Sequence, residues 1–144
     1  MQDILTNKEK WCNDWKRQGW LSTYIIKNRY IAFRTNTLDM LFPITKAGVE
    51  GWVCYYIFEC FPVPTRAFIQ FQAERFDKDT TEKYNVVNPF FRRNNRKAWK
   101  FHRLESWSID AYSDEGLKIE LERIILDVIP KFEKQVKSIL ERDR

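Results

Sequence analysis

The sequence predicts an α+β fold, in which a single antiparallel sheet of four or five strands is packed on one face by an N-terminal helix and a long C-terminal helix kinked near Pro130. Apolar residues recur at helical spacing near the start of the chain and again towards its end. Between these regions, two runs rich in β-branched and aromatic residues are joined by a four-residue turn. A length of 144 residues suits one domain spanning 1–144.

The first helix is predicted over residues 6–18. Thr6 followed by Glu9 forms a capping box, and Gly19 stands where a helix would end. Its two tryptophans lie one turn apart on an apolar face. A core-facing role is favoured for them over a ligand clamp, because amphipathic helices usually bury such a face.

The segment 24–42, YIIKNRYIAFRTNTLDMLF, is predicted to form two or three short strands. It is rich in β-branched and aromatic residues, is interrupted at 27–29 and at Asn36, and is stopped by Pro43.

The clearest local pattern is WVCYYIFECF at 52–61, followed by PVPT and by RAFIQFQAERF at 66–76, which predicts a β-hairpin. Pairing Phe61 with Arg66 would give one face that is almost entirely apolar, suited to packing against helices. The opposite face would be mixed, and we expect it to be partly wet or covered by a partner. Tyr55 and Phe68 on that face are therefore predicted as partner-binding aromatics.

A further helix is predicted from Asp79 to about Asn88, where Pro89 disfavours helical geometry in the residue before it. The basic run that follows would then be a helix end plus a connection. LESWSI at 104–109 is predicted as the last strand.

The C-terminal helix is predicted to begin near Ser113 or Asp114. Pro130 removes one backbone hydrogen bond and should kink the helix or split it in two. The apolar stripe that predicts this helix comprises Leu117, Leu121, Ile124, Ile125, Val128, Phe132, Val136 and Ile139.

The composition is 44% hydrophobic and 31% charged, which excludes a disordered chain. No apolar stretch approaches the roughly eighteen residues of a membrane span, and MQDILTNKEKW lacks the pattern of a signal peptide. We therefore expect a cytoplasmic protein with no membrane partner. Cys12, Cys54 and Cys60 have no paired motif and are predicted to be free, mostly buried thiols.

The sequence favours binding over catalysis, and no catalytic residue, metal site or cofactor is predicted. The single histidine, His102, lies in a strongly basic stretch, and no glycine-rich phosphate loop is present in the sequence. A metal-dependent enzyme using Asp39 and Glu59 is the least favoured alternative. The simpler interpretation of Glu59 is a strand residue that forms an ion pair with Arg66.

The aromatic hairpin, the basic connection, the short WSI strand and the helix YSDEGLKIELERIILDVIP together resemble the C-terminal region that follows the catalytic core in some prokaryotic proteins of the PD-(D/E)XK nuclease superfamily. The catalytic motif of that superfamily, an acid, any residue and a lysine, is absent. Glu59-Cys60-Phe61 and Glu74-Arg75-Phe76 both carry phenylalanine in the lysine position. The resemblance implies an accessory or recognition part without a catalytic centre.

The run NPFFRRNNRKAWKFHR at 88–103 contains six Lys or Arg residues, four aromatics and no acid, in a chain of net charge +5. The concentrated positive charge of this run would attract phosphate, and its aromatic side chains could stack on bases. For Phe90, Phe91 and Trp99 the structural role is favoured, in which they face inward and anchor a loop, because aromatics in a small domain are usually core residues. The cations could then simply keep the loop soluble, but no neighbouring acid in the sequence neutralises them. The sequence thus predicts a nucleic-acid-binding module, with contacts from Arg92, Arg93, Arg96, Lys97, Lys100 and Arg103.

The alternative function is a protein-binding or inhibitory module of a prokaryotic or phage defence or counter-defence system. Its partner would present an acidic protein surface, because the basic run disfavours a partner of the same charge.

Overall fold

The computed structural model describes residues 8–27, 30–42, 54–61, 66–73, 92–93, 100–108 and 113–142. In chain order the elements are α1 (Lys8–Arg17), β1 (Thr23–Ile26), β2 (Tyr30–Arg34), α2 (Asn36–Leu41), β3 (Cys54–Phe61), β4 (Arg66–Ala73), β5 (Arg92–Arg93), β6 (Lys100–Ser108), α3 (Asp114–Arg123), a π-helical turn (Ile124–Val128) and α4 (Ile129–Arg142).

The strands form one antiparallel sheet, and the predicted α+β class is confirmed. The strand order is β1-β2-β3-β4-β6-β5, which makes six strands within the described residues. The prediction of four or five omitted β5, which is only two residues long. Within the same residues, none of the helices is both long enough and apolar enough to cross a membrane.

The central hairpin has the predicted register, with Phe61 opposite Arg66 across β3 and β4. Its apolar face is buried and forms the main core together with the helices, as predicted. Phe132 of α4 packs on this face, its ring centroid 5.1 Å from that of Phe71. The buried residues that the two strands contribute to this core are Cys54, Tyr56, Phe58, Cys60, Ala67, Ile69 and Phe71.

Helix α1 covers one part of the same core, and its two tryptophans are core residues. Trp11 and Trp15 are buried, and the Trp15 indole Nε1 donates to Glu122 Oε2 of α3 across 3.0 Å. Gly19 follows the helix with φ +82°, the left-handed conformation that glycine adopts most easily. Residues 6 and 7 of the predicted helix lie outside the described residues.

The segment after β2 is a helix, so the third of the two or three strands predicted over 24–42 does not form. Thr35 caps α2, because its Oγ1 accepts a hydrogen bond from the Leu38 N–H across 3.0 Å. The strands β1 and β2 themselves confirm the other two predicted strands. The helix predicted at 79–88 lies outside the described residues.

The C-terminal helix begins where the sequence predicts, with Ser113 Oγ accepting from the Gly116 N–H across 3.1 Å. It is split before Pro130 by the π-helical turn, in which the Ile129 N–H donates to the Ile124 carbonyl. This extra residue rotates the following helix by about 100°, one residue's share of a turn. Ile129 is therefore fully buried, whereas Val128 of the predicted stripe is only half-buried.

The three cysteines are free and buried, as predicted. Burial raises the pKa of the Cys12 thiol to about 12, so this group stays a neutral thiol at physiological pH.

Candidate nucleic-acid interface

The described residues of the basic run, 92–93 and 100–103, form β-strands. The sequence predicted a helix end and a connection there, and that prediction is wrong for these residues. Strand β6 begins at Lys100 and continues to Ser108, four residues earlier than the predicted start at Leu104. Arg92 and Arg93 form β5, the last strand at one edge of the sheet. The basic segment 100–103 is strand because its backbone pairs with residues 70–73 of β4, and backbone hydrogen bonds in a sheet form whatever the charge of the side chains. Within the described residues, the structure thus brings 92–93 and 100–101 of the run together on neighbouring antiparallel strands.

The register between β5 and β6 places two cationic residues opposite one another. Arg93 is the partner of Lys100, and Arg92 is the partner of Phe101. Arg96 and Lys97 lie outside the described residues. Four of the six predicted contact residues therefore lie on two paired strands, at positions 92, 93, 100 and 103.

Arg103 is an exposed residue whose side chain is held against the sheet. Its guanidinium carbon lies 3.9 Å from the centroid of the Phe68 ring, a cation–π contact. Its Nε donates to Gln70 Oε1 across 3.0 Å. Sequence patterns do not predict this fixed position, since both supports come from β4.

The first acid after the basic run belongs to a different contact. Glu105 Oε2 lies 3.1 Å from Nη2 of Arg123, which also pairs with Glu120 on its own helix. These two carboxylates raise the pKa of the Arg123 guanidinium through hydrogen bonds and charge. Glu105 therefore links β6 to α3.

Tyr55 and Phe68 are buried, so the expectation that they line a partly wet face is wrong. Their exposed fractions are 7% and 8%. Together with Ala32 and Ile57 they form a second apolar cluster, on the face of the sheet opposite the main core. Alternation along the strands placed these residues on one face correctly, but their exposure depends on what packs over that face.

Asp39 and Glu59 are not brought together. Asp39 Oδ1 forms an ion pair with Arg34 Nε across 2.7 Å, and Arg34 also donates to the Cys54 carbonyl. Glu59 lies five residues farther along β3, roughly 17 Å at a rise of about 3.3 Å per residue. No group of three or more His, Cys, Asp or Glu residues suited to a metal ion occurs among the described residues.

A buried polar cluster, not predicted from the sequence, lies in the main core. Glu133 of α4 is 5% exposed and accepts hydrogen bonds from the hydroxyls of Thr35 and Tyr56. Burial raises the pKa of the Glu133 carboxyl, and the two hydrogen bonds offset part of that rise. Burial, followed by the charge of Glu133, also holds the pKa of Tyr56 well above its usual range. These two hydrogen bonds join the start of α2, strand β3 and helix α4 inside the core.

Comparison with protein-family models, with curated proteins and with solved structures finds no match to this chain.

Proposed function

We propose that the protein binds nucleic acid through the basic ribbon, defined as the cationic segment 92–103, of which the structure describes residues 92–93 and 100–103 as strand. The observation that carries the proposal is the register pairing of Arg93 with Lys100, which sets two cations opposite each other on neighbouring strands. Like charges in directly opposed positions of an antiparallel pair are destabilising. A bound polyanion would offset that repulsion, because its phosphate oxygens carry the opposite charge.

A polynucleotide suits the basic ribbon better than a small anion does. All six cations of the run at 88–103 fall within the ribbon, so negative charge is attracted along its whole length. Contacts to phosphates position and orient a protein on a duplex. Affinity would come mainly from counterion release, which makes it strongly dependent on salt.

The proposed activity is binding without turnover, as a non-catalytic module of a prokaryotic or phage cytosolic system. It requires no cofactor. The resemblance to an accessory region of the nuclease superfamily implies the same kind of role, and that relationship stays a prediction. A protein with an acidic surface is the alternative partner.

The test compares two variants that lose the same charge. In the first, Arg92, Arg93, Arg96 and Lys97 are replaced by Gln, which removes four positive charges from the basic ribbon and keeps long polar side chains. In the control, Lys10, Lys16, Lys134 and Lys137, which are exposed on α1 and α4, are replaced by Gln. Fluorescence anisotropy with labelled DNA and RNA, single- and double-stranded, measures affinity at two salt concentrations.

Wild type should lose about a hundredfold in affinity between roughly 50 and 200 mM salt if about four cations meet phosphates. The ribbon variant should lose most binding at low salt, while the control keeps it. An equal loss in both variants would show that only net charge matters and would refute the local site. If wild type binds no polynucleotide at low salt, the proposal is wrong, and the acidic protein surface becomes the favoured partner.

A further inference from the structure

We infer that Arg103 is a preorganised phosphate contact of the basic ribbon, held in position by Phe68 and Gln70 and brought to their face of the sheet by a β-bulge at Leu104. The inference rests on the proposed function and deepens it. It also assigns Phe68 a positioning role, in place of the direct partner contact predicted from the sequence.

The register of β4 and β6 shows how Arg103 reaches this face. Phe68 pairs with Ser106 and Ile69 with Glu105, but the next residue, Gln70, pairs with Arg103. In a regular ladder Leu104 would stand opposite Gln70, and Arg103 would belong to the other face. The extra residue forms a β-bulge, a feature that often redirects a side chain near a functional site.

Leu104 fits the bulge because it packs against the main core. It is a partly buried residue in contact with the cluster formed by the helices and the apolar face of the hairpin. The bulge therefore interrupts the alternation, so that Leu104 lies on the same side of the sheet as Glu105 and the residues before Leu104 change face. Leu104 contributes to the core, while Arg103 joins Phe68 and Gln70 on the opposite side.

The supports of Arg103 are buried, although Arg103 itself is exposed. Phe68 is 8% exposed and Gln70 only 3%, so both are fixed by the packing of the sheet. Stacking at 3.9 Å and the 3.0 Å hydrogen bond restrict the guanidinium to one position. A free arginine loses side-chain entropy when it binds a ligand, and a guanidinium that is already ordered loses less.

The same face extends towards the edge strand. Residues two apart on a strand share a face, so Arg103 shares its face with position 101. The partner of position 101 across the ladder is Arg92. A polyanion that follows this face would meet two arginine positions in succession, whereas the positions of Arg93 and Lys100 belong to the other face of the same two strands. Phosphate is the group that the planar fork of arginine binds through paired hydrogen bonds.

The test uses Arg103→Gln, Arg103→Lys and Gln70→Leu, with Lys137→Gln as a control on the exposed side of α4. Two probes are titrated against the full chain over a range of salt: a labelled DNA duplex, and inorganic polyphosphate, which presents phosphates without bases. Thermal unfolding of each variant separates loss of binding from loss of folding. Arg103 is exposed, so its Lys variant should fold normally.

Arg103→Gln should reduce the salt slope by about 0.9, the value for one phosphate contact on a duplex. Arg103→Lys and Gln70→Leu should keep most of the slope and weaken binding roughly two- to tenfold, because the ordering of the side chain is then lost. The Lys137→Gln control should leave both slope and affinity unchanged.

The outcomes separate this inference from the proposed function. If wild type binds DNA but Arg103→Gln behaves like the control, the phosphate contact is refuted and the proposed function stands. If wild type binds only inorganic polyphosphate, and Arg103→Gln weakens that binding, the contact stands and nucleic-acid binding is refuted. If neither probe binds wild type, both are refuted.

Discussion

The Tyr56 hydroxyl donates a hydrogen bond to Glu133 Oε2 across 2.8 Å and so joins β3 to α4 inside the core. The Thr35 hydroxyl donates to the same oxygen and adds the start of α2 to the cluster. Arg34 lies close enough for its positive charge to oppose the rise in the Tyr56 pKa. Two helices and one strand, which are distant in sequence, thus meet at one carboxyl group.

Glu133→Gln should change how stability depends on pH. Burial raises the pKa of Glu133 in the folded protein above its value in the unfolded chain. The carboxyl therefore stabilises the fold fully below the unfolded pKa of about 4.3, and this contribution is lost as pH rises through the folded pKa. Gln stays neutral, so the variant should gain stability relative to wild type as pH rises from about 4 to 8.

Thermal unfolding across this range measures the effect. Glu141→Gln, on the exposed end of the same helix, is the control and should show no such trend. A difference between Glu133→Gln and wild type that stays constant with pH would contradict the assignment.

Tyr56→Phe should destabilise the protein by about 1 to 3 kcal/mol, because Glu133 loses a donor inside the core. Urea unfolding gives the change in the free energy of unfolding. Tyr24→Phe provides a comparison, since the Tyr24 hydroxyl bonds to Asn13 at the exposed surface. Equal effects of the two substitutions would show that burial of the Tyr56 hydrogen bond is unimportant.

Arg34→Met should cost about 3 to 5 kcal/mol, because it leaves polar groups without their buried partner. Arg34 is 0% exposed and donates to Asp39 and to the carbonyls of Cys54, Leu38 and Phe42. Arg17→Met, at an exposed ion pair with Asp14, should cost less than about 1 kcal/mol. Chemical denaturation of both variants distinguishes the two kinds of ion pair, and similar costs would contradict the prediction.

Ile129→Ala should be more damaging than Ile139→Ala, although only Ile139 belongs to the stripe predicted from the sequence. Ile129 is 0% exposed, so its truncation should cost about 2 to 5 kcal/mol. Ile139 is only partly buried and should cost less. The reverse order in denaturant unfolding would mean that the π-helical turn does not set the orientation of α4.

Local sequence patterns predicted the helices and strands in which apolar residues recur at one regular spacing. Alternation along 52–61 and 66–76 identified the hairpin, and the length of the four residues between the runs predicted the register of Phe61 against Arg66. The start of the C-terminal helix followed from its capping residue, Ser113. Of the two or three strands predicted over 24–42 only two form, because Thr35 caps a helix at residues 36–41 and the capping hydrogen bond favours the helix there.

The sequence predicted which residues the candidate site contains, but not how they are arranged in space. The cations of the run at 88–103 could be read directly from the sequence. Their pairing across β5 and β6 depends on how the two segments meet at the edge of the sheet. The stacking of Arg103 on Phe68 and its hydrogen bond to Gln70 depend on contacts between residues more than thirty positions apart in sequence. Glu133 was missed because it follows the π-helical turn, which moves it from the margin of the apolar stripe into the core.

The sequence alone determined the α+β class, the hairpin and its register, the N-terminal and C-terminal helices, and the concentration of positive charge. Each of these depends on neighbouring residues or on composition. Only the tertiary structure decided which face Arg103 occupies, that Tyr55 and Phe68 are buried, and where Glu133 finds its partners. The positions of Arg103 and Glu133 depend on one extra residue in a strand and one in a helix, and the burial of Tyr55 and Phe68 depends on what packs over their face. All of these become defined only when distant parts of the chain pack together.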